Sequence, residues 1–154
     1  MTHTSKAIAR VLTLVGLITV LGISPAAAVS SSTYEKQVVK ATNDYRADRG
    51  KVAVKHQSCV DRWAERQARW MADHGVLAHR KGQLGKIMKA CKLTGASENI
   101  AWNFSSGNKA VAAWKKSPGH AKNMRAGKMR YIGVGAVKDS DGEWWVAQVF
   151  GTRK

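Results

Sequence analysis

Two glycines spaced two apart in an apolar strand constrain this chain more than any other feature. In residues 131–137, Ile132, Val134 and Ala136 alternate with Gly133 and Gly135. Period-two alternation puts the larger side chains on one face of a strand and the glycines on the other. A face without Cβ atoms lets a second backbone or a ligand come close. Asp139-Ser140-Asp141-Gly142 then supplies turn chemistry, and residues 144–150 supply a return strand. The C-terminus therefore reads as a hairpin.

Upstream, the apolar period changes to that of helices. Ser32-Thr33-Tyr34-Glu35 has the form of a capping box, and Tyr34, Val38, Ala41 and Tyr45 follow on one face, with Gly50 as the stop. Ser58-Cys59-Val60-Asp61 opens a second helix, with Val60, Trp63, Ala64, Gln67, Ala68 and Met71 inward and Gly75 at its end. Residues 80–95 read as a long loop, and 98–103 as a strand or extended segment. Residues 109–116 read as a short helix carrying Val111 and Trp114. Ser117-Pro118 then restarts a helix, with Ser as N-cap and Pro in the first turn, which places His120 at the third helical position. Helices first and a hairpin last predict an α+β fold with helices packed on an antiparallel sheet. Trp63, Trp70, Trp114 and Trp145 are expected in its core, and His56 and His74 on its surface.

The N-terminus reads as a leader. Lys6 and Arg10 precede an apolar run of about 13 residues, shorter than the roughly 20 that a spanning helix needs. Ser24-Pro25-Ala26-Ala27-Ala28 follows with the small residues that a signal peptidase reads. The expected organisation is a signal peptide at 1–28, a short lead-in at 29–33 and one domain at 34–154, secreted and extracellular, with no transmembrane segment after cleavage. Cys59 and Cys91 are the two cysteines. In an oxidising compartment they read as one disulfide, with two free thiols as the alternative.

The formal net charge is +16. Between His74 and Lys138, 13 lysines and arginines stand against one acid, Glu98. Arg80, Lys81, Lys115, Lys116, Lys122 and Arg125 form the candidate basic patch. Such a field recruits anions: outside a cell, an anionic polymer or lipid head groups, with nucleic acid disfavoured. Solubility alone is the plainer reading of the same charges. No paired metal-ligand histidines, G-x-S-x-G elbow, Walker loop or dinucleotide fingerprint appears. Spacing alone declares no enzyme.

Four motifs in order carry a resemblance. His79 in GVLAHR, SENIAWN at 97–103, AWKKSPGHAKNM at 113–124, and the pair YIGVGAV and WWVAQVFG resemble the CAP superfamily. These are the cysteine-rich secretory, antigen 5 and pathogenesis-related proteins and their bacterial SCP-like relatives. The resemblance spans nearly the whole domain and implies an α-β-α sandwich with a surface cleft lined by two histidines and two acids. His79, Glu98 and His120 match three of the four. Ser117 stands where the second glutamate would be, which weakens both a four-ligand metal site and a paired-carboxylate mechanism. The resemblance leaves His79, Glu98 and His120 as a candidate set for a divalent metal such as zinc, or for catalysis, with no cofactor required. The same three residues also read as a hydrogen-bonded cluster that only holds the fold together. Trp102 and Gln148 join Ser117 as expected cleft residues, and Trp144 lies on a strand bordering the cleft. The function this implies is a non-catalytic extracellular binding module for an anionic or lipidic ligand, expected as a monomer. A metal-dependent hydrolase and a cationic toxin-like or antimicrobial protein are the alternatives.

Overall fold

The computed structural model describes residues 29–153; the leader expected at 1–28 lies outside them. The elements run α1 (Ser31–Ala47), β1 (Lys55–His56), α2 (Ser58–His74), α3 (Gln83–Cys91), β2 (Gly95–Trp102), α4 (Gly107–Lys116), α5 (Pro118–Arg125), β3 (Tyr131–Lys138) and β4 (Trp144–Thr152). The strands form one sheet in the order β1-β3-β4-β2. β3 and β2 both run antiparallel to β4, and β1 adds a short parallel pairing to β3. The expected antiparallel sheet is thus mixed at one edge. Two residues are too few to leave a periodic signal, so β1 was not visible in the sequence.

The sheet is covered on both faces, as an α-β-α sandwich requires. On one face Tyr34, Val38, Trp114 and Met124 from α1, α4 and α5 pack on Ile132, Val134, Ala136, Val146 and Phe150. On the other, α2 and α3 bring Val60, Ala64 and Ile87 to Val149, and Ala68 and Met71 to Trp145 and Ala147. Central β4 is buried along its whole length. Trp114 and Trp145 are core residues as expected, Trp144 joins them, and Trp63 and Trp70 are half-buried.

The glycines explain how closely α2 lies on the sheet. A Cβ at Gly133 would overlap the backbone of Asp61, and one at Gly135 the backbone of Glu65. The close approach read from the sequence is therefore made by a helix backbone.

Three local readings are corrected. The first helix is capped by Ser30, whose hydroxyl accepts from the Thr33 amide, so the lead-in ends earlier than 33. Gln57, not Ser58, caps α2. The acids of both expected capping boxes turn to β3 instead: Asp61 accepts from the Val134 amide at 3.0 Å, and Glu35 from the Ala136 amide at 3.1 Å. The expected loop at 80–95 contains α3, whose buried face is Gln83, Ile87 and Cys91. Cys91 is bonded to Cys59 in the first turn of α2.

Candidate functional site

β2 delivers Glu98 to one edge of the sheet. Ile100, two residues on, packs against Ala68 and Met71 of α2, so strand alternation aims Glu98 to that same side. Its side chain is only 3 % exposed. One oxygen accepts from His79 Nδ1 at 2.7 Å and the other from Gln83 Nε2 at 3.2 Å. An ionised carboxylate only accepts, so Nδ1 carries the proton and Nε2 is the ring's acceptor while the imidazole is neutral. Burying a carboxylate is costly without such donors, and here both oxygens have one.

His79 comes from the segment between α2 and α3. Gln67, fully buried on α2, fixes the residues on either side of it. Its Nε2 donates to the Ala78 carbonyl at 2.8 Å, and its Oε1 accepts from Arg80 Nε at 2.8 Å. The imidazole itself stays exposed.

A chain of amides, half-buried at Asn123 and fully buried at Asn99 and Gln148, holds α5 against β2. Asn123 Nδ2 donates to the Glu98 carbonyl and to Asn99 Oδ1. Asn99 Nδ2 donates to the His120 carbonyl at 3.2 Å and to Gln148 Oε1 at 2.9 Å. Gln148 Nε2 then donates to the Thr42 hydroxyl at 2.7 Å. Gln148, expected to line the cleft, is instead fully buried and links α1 to β2. Gln67 was read as inward but not as the group that fixes the His79 segment, and sequence reasoning missed Gln83, Asn99 and Asn123, because polar residues in an apolar pattern read as surface positions.

Two neighbouring hollows result. The first, of about 350 Å³, is lined by His79, Arg80, Gly82, Gln83, Leu84, Gly85, Ser97, Glu98 and Asn123. The second, of about 290 Å³, is lined by His120, Ser117 and Trp102 with Leu77, Phe104 and Ala113 among others. Trp102 is 42 % exposed and lies 5.4 Å from the Trp145 ring. Burial holds His120 below the ordinary histidine range, and nearby His79 adds to the effect. Both effects favour the neutral form of His120, which lies near the exposed His79 ring.

The structure thus joins His79 to Glu98 directly and sets His120 in the adjoining hollow. Among the described residues no three His, Cys, Asp or Glu side chains are grouped to hold a metal ion. With both oxygens engaged, Glu98 is not free to ligate, whereas the Nδ1 bond leaves His79 Nε2 as the ring atom that a metal would take. In the basic patch Lys81, Lys115, Lys116, Lys122 and Arg125 are exposed. Arg80 is half-buried, bonded to Gln67 and 5.5 Å from the Trp70 ring. No helix among the described residues is long and apolar enough to cross a membrane.

Comparison with known proteins gives a consistent result. The family model for the cysteine-rich secretory protein family, CAP, matches residues 39–150. The YkwD protein of Bacillus subtilis strain 168 is 32 % identical over 127 residues, covering 79 % of this chain and 49 % of its own. This chain thus spans about half the length of that relative. An extracellular SCP-domain protein of Bacillus anthracis strain Ames superposes with a TM-score of 0.68 at 26 % identity, over 80 % of this chain and 41 % of the other. An outer surface protein of Borrelia burgdorferi shares the fold, with a TM-score of 0.70 at 20 % identity over 77 % of this chain and 92 % of the other. The family model covers most of the chain and the solved folds agree with it, so the chain belongs to the cysteine-rich secretory protein (CAP) family.

Proposed function

We propose that this CAP domain acts outside the cell as a non-catalytic binding module for an anionic polymer, gathered by the exposed cations that flank His79 and His120 in sequence. The engagement of Glu98 carries this reading. Its oxygens are taken by His79 and Gln83, and Ser117 supplies no second carboxylate. A carboxylate with both oxygens held in this way does not itself reach a substrate as base or nucleophile. Exposed Lys81, Lys116 and Lys122, with the His79 ring, are groups that suit an anion.

The test is retention of the purified protein on immobilised polyphosphate, with neutral dextran as control. Retention should fall steeply between roughly 50 and 300 mM salt, over which the screening length shrinks by more than half. Substituting Lys81, Lys116 and Lys122 by Ala should weaken retention while changing stability by no more than about 0.5 kcal/mol, as for other exposed positions. Salt-independent retention, or equal retention of the variant, would sink the reading.

A further inference from the structure

A second groove runs along the opposite edge of the sheet. β1 pairs with β3 only at Tyr131 and Ile132, so the rest of β3 is an open edge. Carboxylates cap that edge, Asp61 at the Val134 amide and Glu35 at the Ala136 amide. Such caps discourage another strand from adding there. The two acids are not equivalent. The second oxygen of Asp61 lies 3.1 Å from His56 Nε2. Glu35 makes no other hydrogen bond and no ion pair among the described residues. It is half-buried, and its second oxygen has no protein partner among the described residues and remains open to solvent.

Glu35 also lies at a junction. On one side is a lobe of about 400 Å³, into which Val39 and Val134 bring apolar surface. On the other is a lobe of about 610 Å³, with Arg66, Arg69 and Lys138 in its wall against one further acid, Glu65. None of these three cations is paired with an acid among the described residues. Both volumes fall in the range of small-molecule sites. An unpaired carboxylate between an apolar lobe and a cationic lobe matches the order of groups at a peptide N-terminus: side chain, ammonium, then the chain leading to a carboxylate.

We propose that this groove binds a short peptide by its free N-terminus. The ammonium sits on Glu35, an apolar first side chain fills the Val39–Val134 lobe, and the terminal carboxylate points to Arg66, Arg69 and Lys138. The site is separate from the His79–Glu98 hollow and does not depend on the function proposed for it. It requires no metal and no bond-making step.

The experiment is an amide-resolved NMR titration of the protein with Leu-Gly-Gly at about pH 7.5, where the Glu35 carboxyl is mostly ionised. Saturating shifts are expected at Ala136, Val137 and Lys138 and not at Ser97, Glu98 or Asn123. N-acetyl-Leu-Gly-Gly, which lacks the ammonium, should bind about tenfold more weakly or worse, the usual scale for losing a charge-assisted hydrogen bond. Gly-Gly-Gly should also bind more weakly, because it leaves the apolar lobe empty. Glu35→Gln keeps an acceptor for the Ala136 amide, so its spectrum should remain that of the folded protein while the affinity for Leu-Gly-Gly drops as it does on acetylation. Absence of saturating shifts, equal binding of the acetylated peptide, or unchanged affinity in Glu35→Gln would each overturn the proposal.

Discussion

The two edges of the sheet each present a glutamate, and they treat it differently. At the β2 edge Glu98 is almost wholly buried, with a side-chain donor on each oxygen. At the β3 edge Glu35 is half-buried with a single backbone donor, and its pKa is pushed up to about 7. Burial is the main cause of that rise, the Ala136 amide works against it, and nearby Asp61 and Glu65 add to it. Depth alone does not set the character of a buried acid. Glu98 is deeper, yet α3, α5 and the His79 segment surround it with polar groups, whereas the β3 edge gives Glu35 one amide and two acidic neighbours.

The most damaging way to break this comparison is to release the wall that supplies Gln83. The Cys59–Cys91 bond ties α3 to α2 across a sequence separation of 32. Replacing both cysteines by Ser should lower stability by about 3 to 4 kcal/mol in the chain-entropy picture, as read by denaturant unfolding. Amide exchange should rise first in α3 and at Glu98, while the Ala136 amide on the far edge keeps its protection. Uniform loss of protection at both edges would show that the two sites are not separately held.

A smaller effect comes from removing the buried acid itself. Glu98→Ala strands Gln83, which is 5 % exposed, without its acceptor and frees His79. An unsatisfied buried donor costs about 1 to 3 kcal/mol, so a loss near 2 kcal/mol is expected in a thermal or urea melt. A loss below about 0.5 kcal/mol, the scale of an exposed substitution, would mean that Glu98 is far less engaged than its geometry indicates.

The same contrast explains what was legible in the sequence. The hairpin, the inward face of α2 and the close approach at Gly133 and Gly135 follow from local periodicity, and all are present. The cysteine pairing followed from there being only two. His79, Glu98 and His120 were found through ordered motifs, and the structure bonds the first two and places the third next door. What failed was long-range. Glu35 and Asp61 fit local capping boxes, but their partners lie 101 and 73 residues away on β3. Sequence spacing cannot reveal a side chain that prefers a distant strand amide to its own helix end. The burial of Gln148 and Asn99 was equally hidden, because their amides are satisfied by each other and by Thr42, Asn123 and the His120 carbonyl, all distant in sequence. α3 was masked by Gly82 at its cap and Gly85 within it, which look like loop chemistry although Gln83, Ile87 and Cys91 keep a helical spacing.

The smallest predicted effect sharpens the comparison by its sign. Glu35 has a folded pKa of about 7 against an ordinary value of 4.5. The folded state therefore holds a proton that the unfolded chain has released between those values, and stability falls as pH rises through that window. The stabilisation is fully present below about 4.5 and gone above about 7. The full shift would correspond to about 3.4 kcal/mol, but the group is only half-buried and solvent screens it, so about 1 kcal/mol is the expected scale. His120 works the other way. Its lowered pKa favours the neutral ring in the folded state, so its contribution is present above the unfolded histidine value and is lost as pH falls through that region. The net profile of the native protein mixes the two, and the difference between native protein and Glu35→Gln isolates one. Glu35→Gln should change stability little at pH 5 and raise it by about 1 kcal/mol at pH 8, because an amide keeps the acceptor for Ala136 without the charge. Urea unfolding of both proteins at the two pH values measures this directly. A difference that does not change between pH 5 and pH 8 would mean that Glu35 holds no extra proton in the folded state, and the contrast between the two edges would reduce to depth after all.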